Sequence, residues 1–263
     1  LVVFAFTLFG LVCTLAAADI ANPPDMTRAR TLSPEVVDRN GHLLRAYLTK
    51  DGYWRIHSTV RDVSPRYLAL LKAYEDRRFD DHFGVDPFAM ARATVQLASS
   101  RHIVSGGSTL TMQVARLLEP PRPRGVVTKL IQMIRAVQIE ERYSKEEILS
   151  LYLTLAPFGG NLEGVRAASL SYFGKEPSGI DLAQAALLVA LPQSPVKQRP
   201  DRHAIAALKG RDKVLRRMID EHIVTASDAH LAMKEGVPFA RQAMPLSAPH
   251  LADRLVRRNA GPR

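Results

Sequence analysis

Residues 75–86 read EDRRFDDHFGVD, and beyond them residues 106–113 read GGSTLTMQ. The first stretch sets an acid among many polar side chains; the second opens a helix with Gly106, Gly107, Ser108 and Thr109. Upstream, Ser64-Pro65 predicts a helix start, with a cap and a proline at the first position. On that helix Leu68, Leu71 and Glu75 share a face, so the acid follows an apolar stripe. A carboxylate partly withdrawn from water holds a proton more readily, which makes Glu75 a candidate general base. The same residues also permit a helix-end glutamate paired with Arg77 or Arg78.

Gly106-Gly107-Ser108 suits an anion, because glycine lets backbone approach closely and Ser108 can cap a helix whose free amides point outward. Along that helix Thr109, Gln113 and Arg116 form a polar stripe, while Leu110, Val114, Leu117 and Leu118 supply apolar contacts. A cation in line with a helix N-terminus fits a diphosphate better than a single carboxylate. The next helix, predicted over residues 126–143, places Lys129, Gln132 and Ala136 on one face, with Arg124 just before it in a proline-rich loop. Taken singly, each of these cations reads as a solvated surface group, and the glycine pair reads as an ordinary turn.

A chain of 263 residues, 46% of them hydrophobic, can bury a substantial core, so one main domain with appendages is expected. The single cysteine, Cys13, rules out an intrachain disulfide and a cysteine-rich zinc site, and reads as a small buried hydrophobe. It sits in an uncharged run, residues 1–18, nearly long enough to cross a bilayer. As the sequence starts without methionine, the expectation is a transmembrane anchor clipped at its start; a cleaved secretion signal ending near Ala16 to Ala18 is the competing reading. The net charge of +10 admits nucleic acid, anionic lipid or an anionic substrate, and an anchor argues against nucleic acid. The arginines of residues 202–217 and 254–263 read as solvated helix faces and a tail. Residues 19–35 form a connector. Val36-Val37, Leu43 to Leu48 and Tyr53 to His57, separated by Asn40-Gly41 and Asp51-Gly52 turns, predict a short antiparallel β meander. Beyond it the chain reads as helical almost throughout. Ser144 with Glu147 forms a capping box, and Asp86, Asp181, Asp201 and Ser227 are further candidate caps.

Glu75 to Asp86, Gly106 to Gln113, Lys129 to Tyr152 and Pro157 to Lys175, in this order, resemble the family 51 glycosyltransferase domain of penicillin-binding proteins. The variants GGSTLTMQVARLL, RAVQIEERYSKEEILSLYLTLAPFGGNLEGV, SYFGK and ALPQSP resemble the 1C branch of that family. The resemblance implies a mainly α, lysozyme-like glycosyltransferase fold over residues 36–244, with a small membrane-facing lobe. Residues 245–263 would be a tail or the start of a linker. It also implies inverting transfer from an undecaprenyl-diphosphate-linked glycan to the 4-hydroxyl of lipid II, on the outer, periplasmic side of the bacterial inner membrane. Glu75 matches the family's essential base. Asp76, Arg77, Phe79, His82 and Gly84 belong to its first motif and shape the cleft. Gly107, Ser108, Thr109, Gln113, Arg116, Arg124, Lys129 and Gln132 match or adjoin positions that hold donor phosphates and sugars.

A divalent cation, Mg or Mn, at the diphosphate is a further expectation, with no tightly held metal or other cofactor. The expected partners are lipid II, the growing strand, the membrane and other cell-wall synthesis proteins, and not nucleic acid. The sequence departs from many members at Gln132, where they carry a second glutamate. Glutamine can hydrogen-bond but cannot take a proton. A non-catalytic, lipid II-binding scaffold is therefore the alternative reading. A lysozyme-like hydrolase fits less well with so many anion-binding residues. Transpeptidase chemistry lacks support, since no Ser-x-x-Lys motif comes with its partner elements.

Overall fold

Residues 182–190 read LAQAALLVA, and a helix apolar on nearly every side has to be surrounded. The structure, a computed structural model, describes residues 22–92, 107–123 and 125–259. In chain order its elements begin with α1 (Thr27–Arg30), β1 (Glu35–Val37), β2 (Leu43–Ala46), β3 (Trp54–Arg55) and α2 (Pro65–Glu75). There follow α3 (Leu110–Leu118), α4 (Val126–Glu140), α5 (Lys145–Leu155), β4 (Pro157–Gly159), β5 (Leu162–Glu163) and α6 (Val165–Phe173). The chain continues through α7 (Leu182–Ala190), α8 (Ala204–Asp220), α9 (Ala226–Lys234) and α10 (Pro249–Asn259). The fold is mainly helical, as the sequence predicts.

Every residue of α7 except Gln184 is buried, and α2, α6, α8 and α9 pack around it. A second group forms where α3 packs between α4 and α5. One core runs through both groups, from Tyr67, Leu70 and Leu71 on α2 to Val114 on α3, Ile148 on α5 and Leu188 on α7. α4 is the least embedded of these helices. It buries Ala136, Gln138 and Ile139 but exposes Val126, Val127, Leu130 and Ile134. These four residues form an exposed apolar stripe along α4. Among the described residues no helix is long and apolar enough to cross a membrane. The expected anchor, residues 1–18, lies outside the described residues, as does Cys13.

The first hairpin of the predicted meander forms: β1 and β2 pair antiparallel around Gly41, whose φ is +84°. The third strand does not join it. β3 instead runs parallel to β5, which pairs antiparallel with β4. The reason is a buried charge. Arg55 on β3 is 1% exposed, and its Nε donates to Glu163 Oε2 on β5 at 2.6 Å. A guanidinium without water needs a carboxylate, and β5 carries it.

The connector also contains α1, whose Arg28 donates to Glu163 Oε1 at 2.5 Å and to the Leu117 carbonyl at 2.9 Å. Residues 249–259 form α10, docked on the hairpin through Asp253, which meets Arg45 at 2.9 Å and Tyr47 at 2.8 Å. The capping boxes at Ser144 and Asp181 form. Asp201 and Ser227 are not caps. α8 is preceded by His203, with Asp201 drawn to Arg199, and α9 is capped by Thr225.

Candidate active site

Glu75 ends α2, half-buried, at the rim of a cleft of about 640 Å3 where α2, the start of α3 and α8 meet. Gln113 Nε2 donates to Glu75 Oε2 at 2.8 Å, and Gln193 Nε2 donates to Oε1 at 3.0 Å. Neither neighbouring arginine pairs with it. Arg77 meets Glu221 at 2.8 Å, and Arg78 reaches Asp86 at 3.4 Å. The helix-end ion pair that the sequence allowed is thus absent from this carboxylate, whose described partners are two neutral amides.

The next residue has a different task. Asp76 is buried; its Oδ2 accepts from the Leu110 amide at 2.8 Å, and both of its oxygens lie 3.0 Å from His82 Nε2. Thr109 caps α3, its Oγ1 accepting from the Met112 amide at 3.1 Å and donating to the Gly84 carbonyl at 2.6 Å. This corrects the expectation that Ser108 caps an N-terminus with amides free for an anion. Asp76 and Thr109 already hold the Leu110 and Met112 amides. Ser108, released from capping, instead bonds the Lys129 ammonium. Ser108 Oγ and the Lys129 ammonium thus stand together at the start of α3.

Lys129 is half-buried, and burial followed by the charge of Arg116 pulls its ammonium below the ordinary lysine value. Arg116 is exposed, with no ion pair recorded among the described residues. Gly107 precedes Ser108 at the same rim and is partly exposed. Gln132 is half-buried on α4, and its side chain makes no hydrogen bond among the described residues. Phe79 and His82 are buried, edge to face, with ring centroids 6.3 Å apart. They do not line the cleft that Asp76, Arg77, Ser108, Thr109 and Gln113 do. Arg124 lies outside the described residues.

Under the carboxylate lie Tyr67 and Tyr152, fully buried, their hydroxyls without a hydrogen-bond partner among the described residues. Burial first, then the charge of Glu75, pushes both phenols up, so both stay neutral. Across the cleft, α8 presents Lys213 and Arg217, with the Arg217 guanidinium 5.1 Å from the Tyr74 ring centre.

Residues 40–219 match the family described as Transglycosylase. The chain belongs to the transglycosylase family. Penicillin-binding protein 1C of Escherichia coli (strain K12) is 47% identical to it over 214 residues, which is 81% of this chain and 28% of that protein. Penicillin-binding protein 1A of Aquifex aeolicus (strain VF5) is 36% identical over 225 residues, 84% of this chain and 31% of that protein. The crystal structure of penicillin-binding protein 1A from Haemophilus influenzae aligns with 87% of this chain and 24% of that one, at 20% identity and a TM-score of 0.46. The chain thus spans under a third of the length of these relatives.

Within this transglycosylase domain, sequence reasoning missed Gln193, Lys213 and Arg217. Gln193 stood in ALPQSP, noticed there only as a variant of a pattern. Arg217 reads from sequence as part of a solvated helix face, and Lys213 carries no sequence signal of its own. Their i, i+4 spacing, continued by Glu221 at i+8, is the one local sign of a shared wall.

Proposed function

We propose that this transglycosylase domain polymerises lipid II by inverting transfer, with Glu75 as the general base. The observation that carries the reading is the Glu75 carboxylate at the cleft rim, bonded by two neutral amides while the nearest arginines pair elsewhere. In the reaction the 4-hydroxyl oxygen of the acceptor sugar bonds to the donor's anomeric carbon from the face opposite the diphosphate. The bond from that carbon to the diphosphate breaks, and the electron pair leaves with the diphosphate. The hydroxyl proton passes to a Glu75 oxygen, which has a lone pair left beyond its amide bond. Ser108, Lys129 and Arg116 would hold the departing diphosphate, as an ammonium poorly solvated by protein gains most from an anion.

The donor set of the described residues does not fit a resident metal. Among the described residues no group of three histidine, cysteine, aspartate or glutamate side chains comes together. The other carboxylates of the cleft are engaged: Asp76 by Leu110 and His82, Asp86 by Arg78, Glu221 by Arg77. A magnesium or manganese ion would arrive on the substrate's diphosphate. The exposed stripe of Val126, Val127, Leu130 and Ile134 on α4 supports contact with a lipid surface beside the donor corner. The setting proposed is the outer side of the bacterial cytoplasmic membrane.

Labelled lipid II tests the reading. Wild-type chain should build glycan strands, and Glu75→Gln should lower the rate by about 10²–10⁴-fold with the fold unchanged. Gln132 favours a second reading, a lipid II-binding scaffold, because no second carboxylate stands at its position. Binding without polymer from folded wild type would select the scaffold and refute the enzyme.

A further inference from the structure

Gln193 ends a 3-10 turn, Leu191–Gln193, that continues directly from α7. The turn is firmly seated: Leu191 and Pro192 are buried, and the Ser194 amide closes it on the Leu191 carbonyl at 3.1 Å. Gln193 itself is exposed and lines the cleft. Its amide reaches back across 118 residues of sequence to Glu75 Oε1 at 3.0 Å. From the other side Gln113, on α3, takes Oε2.

A glutamate at a helix end is otherwise free to turn about its side-chain bonds, and ordering it costs side-chain entropy. Two donors on separate elements fix both oxygens, and so fix the plane of the carboxylate and the direction of its remaining lone pairs. Glutamine can do this without adding charge. The charged and titratable groups that share the cleft with Glu75 are Tyr74 on α2, Asp76, Arg77, Arg78, Asp86 and Arg92 beyond it, and Lys213, Arg217 and Glu221 on and just after α8, with Tyr67 and Tyr152 buried beneath.

We infer that Gln193 is a positioning residue for proton transfer, aiming Glu75 at the acceptor hydroxyl and holding it there with a neutral donor. This rests on the reading of Glu75 as the base. It adds a role for the segment after α7, and it makes the rate depend on how α7 is seated against α2.

The experiment measures initial rates of lipid II polymerisation in detergent, against lipid II concentration and pH, for wild type, Gln193→Met, Gln193→Glu and Glu75→Gln. Gln193→Met keeps the length and loses the donor. We expect kcat to fall about tenfold while KM for lipid II stays within about twofold. Gln193→Glu puts a second carboxylate where a donor stood 3.0 Å from Glu75. Two carboxylates this close share a proton, so the acid limb of the rate profile moves to higher pH and activity recovers as pH rises.

A Gln193→Met kcat within about twofold of wild type overturns the inference, as does a loss confined to KM. A Gln193→Glu acid limb superimposed on that of wild type overturns it too. If Gln193→Met melts early, the isosteric Gln193→Glu profile decides. Glu75→Gln at the wild-type rate would remove the base reading, and the role of Gln193 with it. An inactive Glu75→Gln beside a fully active Gln193→Met removes the role of Gln193 alone.

Discussion

Lys129 is where a single residue's surroundings make the sharpest prediction. Its folded form binds a proton more weakly than an ordinary lysine, because burial and then Arg116 disfavour the ammonium. The unfolded chain therefore binds more protons in the window below the ordinary lysine value of 10.5. The sign follows: the residue detracts from stability while charged, and that cost is relieved as pH rises through its folded value. An anion between Lys129 and Arg116 would relieve the same cost at neutral pH. Pyrophosphate should accordingly bind wild type more tightly than Lys129→Met at neutral pH, and the advantage should shrink as pH climbs through the alkaline range. Calorimetric titration of both proteins across pH checks this, and the comparison cancels the ligand's own ionisation. Glu75 two helices away was legible as a base candidate from its place after Leu68 and Leu71. Its two amide partners were not, because Gln113 and Gln193 lie 38 and 118 residues away.

Among the elements, α3 and α4 are held to the first motif through one glycine. Gly84 has a φ of +79°, and a Cβ there would lie 2.7 Å from the Ala136 carbonyl carbon. Its own carbonyl accepts from Thr109, so the segment after His82 is clamped between the α3 cap and the backbone of α4. Gly84→Ala should destabilise the fold by about 2–4 kcal/mol, from backbone strain plus overpacking. It should also lower polymerisation beyond what the folded fraction explains, because α4 carries Lys129 and would shift. Chemical denaturation followed by rate measurement on the folded protein separates the two effects. The polar pattern of GGSTLTMQ located this junction correctly but not the division of labour within it. Ser108 and Thr109 are both good caps, and only the carbonyl of Gly84 and the ammonium of Lys129 distinguish them.

Across the whole molecule, Arg28, Glu163 and Arg55 tie the N-terminal segment to β5 and to the end of α3. Glu163 is 3% exposed and meets Arg55 at 2.6 Å and Arg28 at 2.5 Å. Removing one partner from a buried pair strands the other charge, at a cost of about 3–5 kcal/mol. Glu163→Ala should therefore lower the melting temperature by roughly 10 °C or more in a chain of this size. Arg61 and Glu146 offer the contrast. They are 3.8 Å apart and both exposed, so Glu146→Ala should change stability by under about 0.5 kcal/mol. Thermal unfolding of both variants tests the ranking.

The sequence by itself determined the helices, the box at Ser144, the cap at Asp181, the first hairpin, and the adjacency of an acid motif to a hydroxyl-bearing helix. Apart from that adjacency, these depend on residues close in sequence, where period, turn and capping chemistry act. It also determined that residue 132 is a glutamine, which leaves Glu75 without a second carboxylate at that position. Only the tertiary structure decided that β3 leaves the hairpin for β5, that Thr109 rather than Ser108 caps α3, and that Lys213, Arg217 and Gln193 belong to the cleft. Those outcomes turn on long-range pairings: Arg55 with Glu163, Thr109 with Gly84, and the packing of α2 and α8 around α7. That burial brings residues more than a hundred positions apart within hydrogen-bonding distance, and no local pattern encodes it.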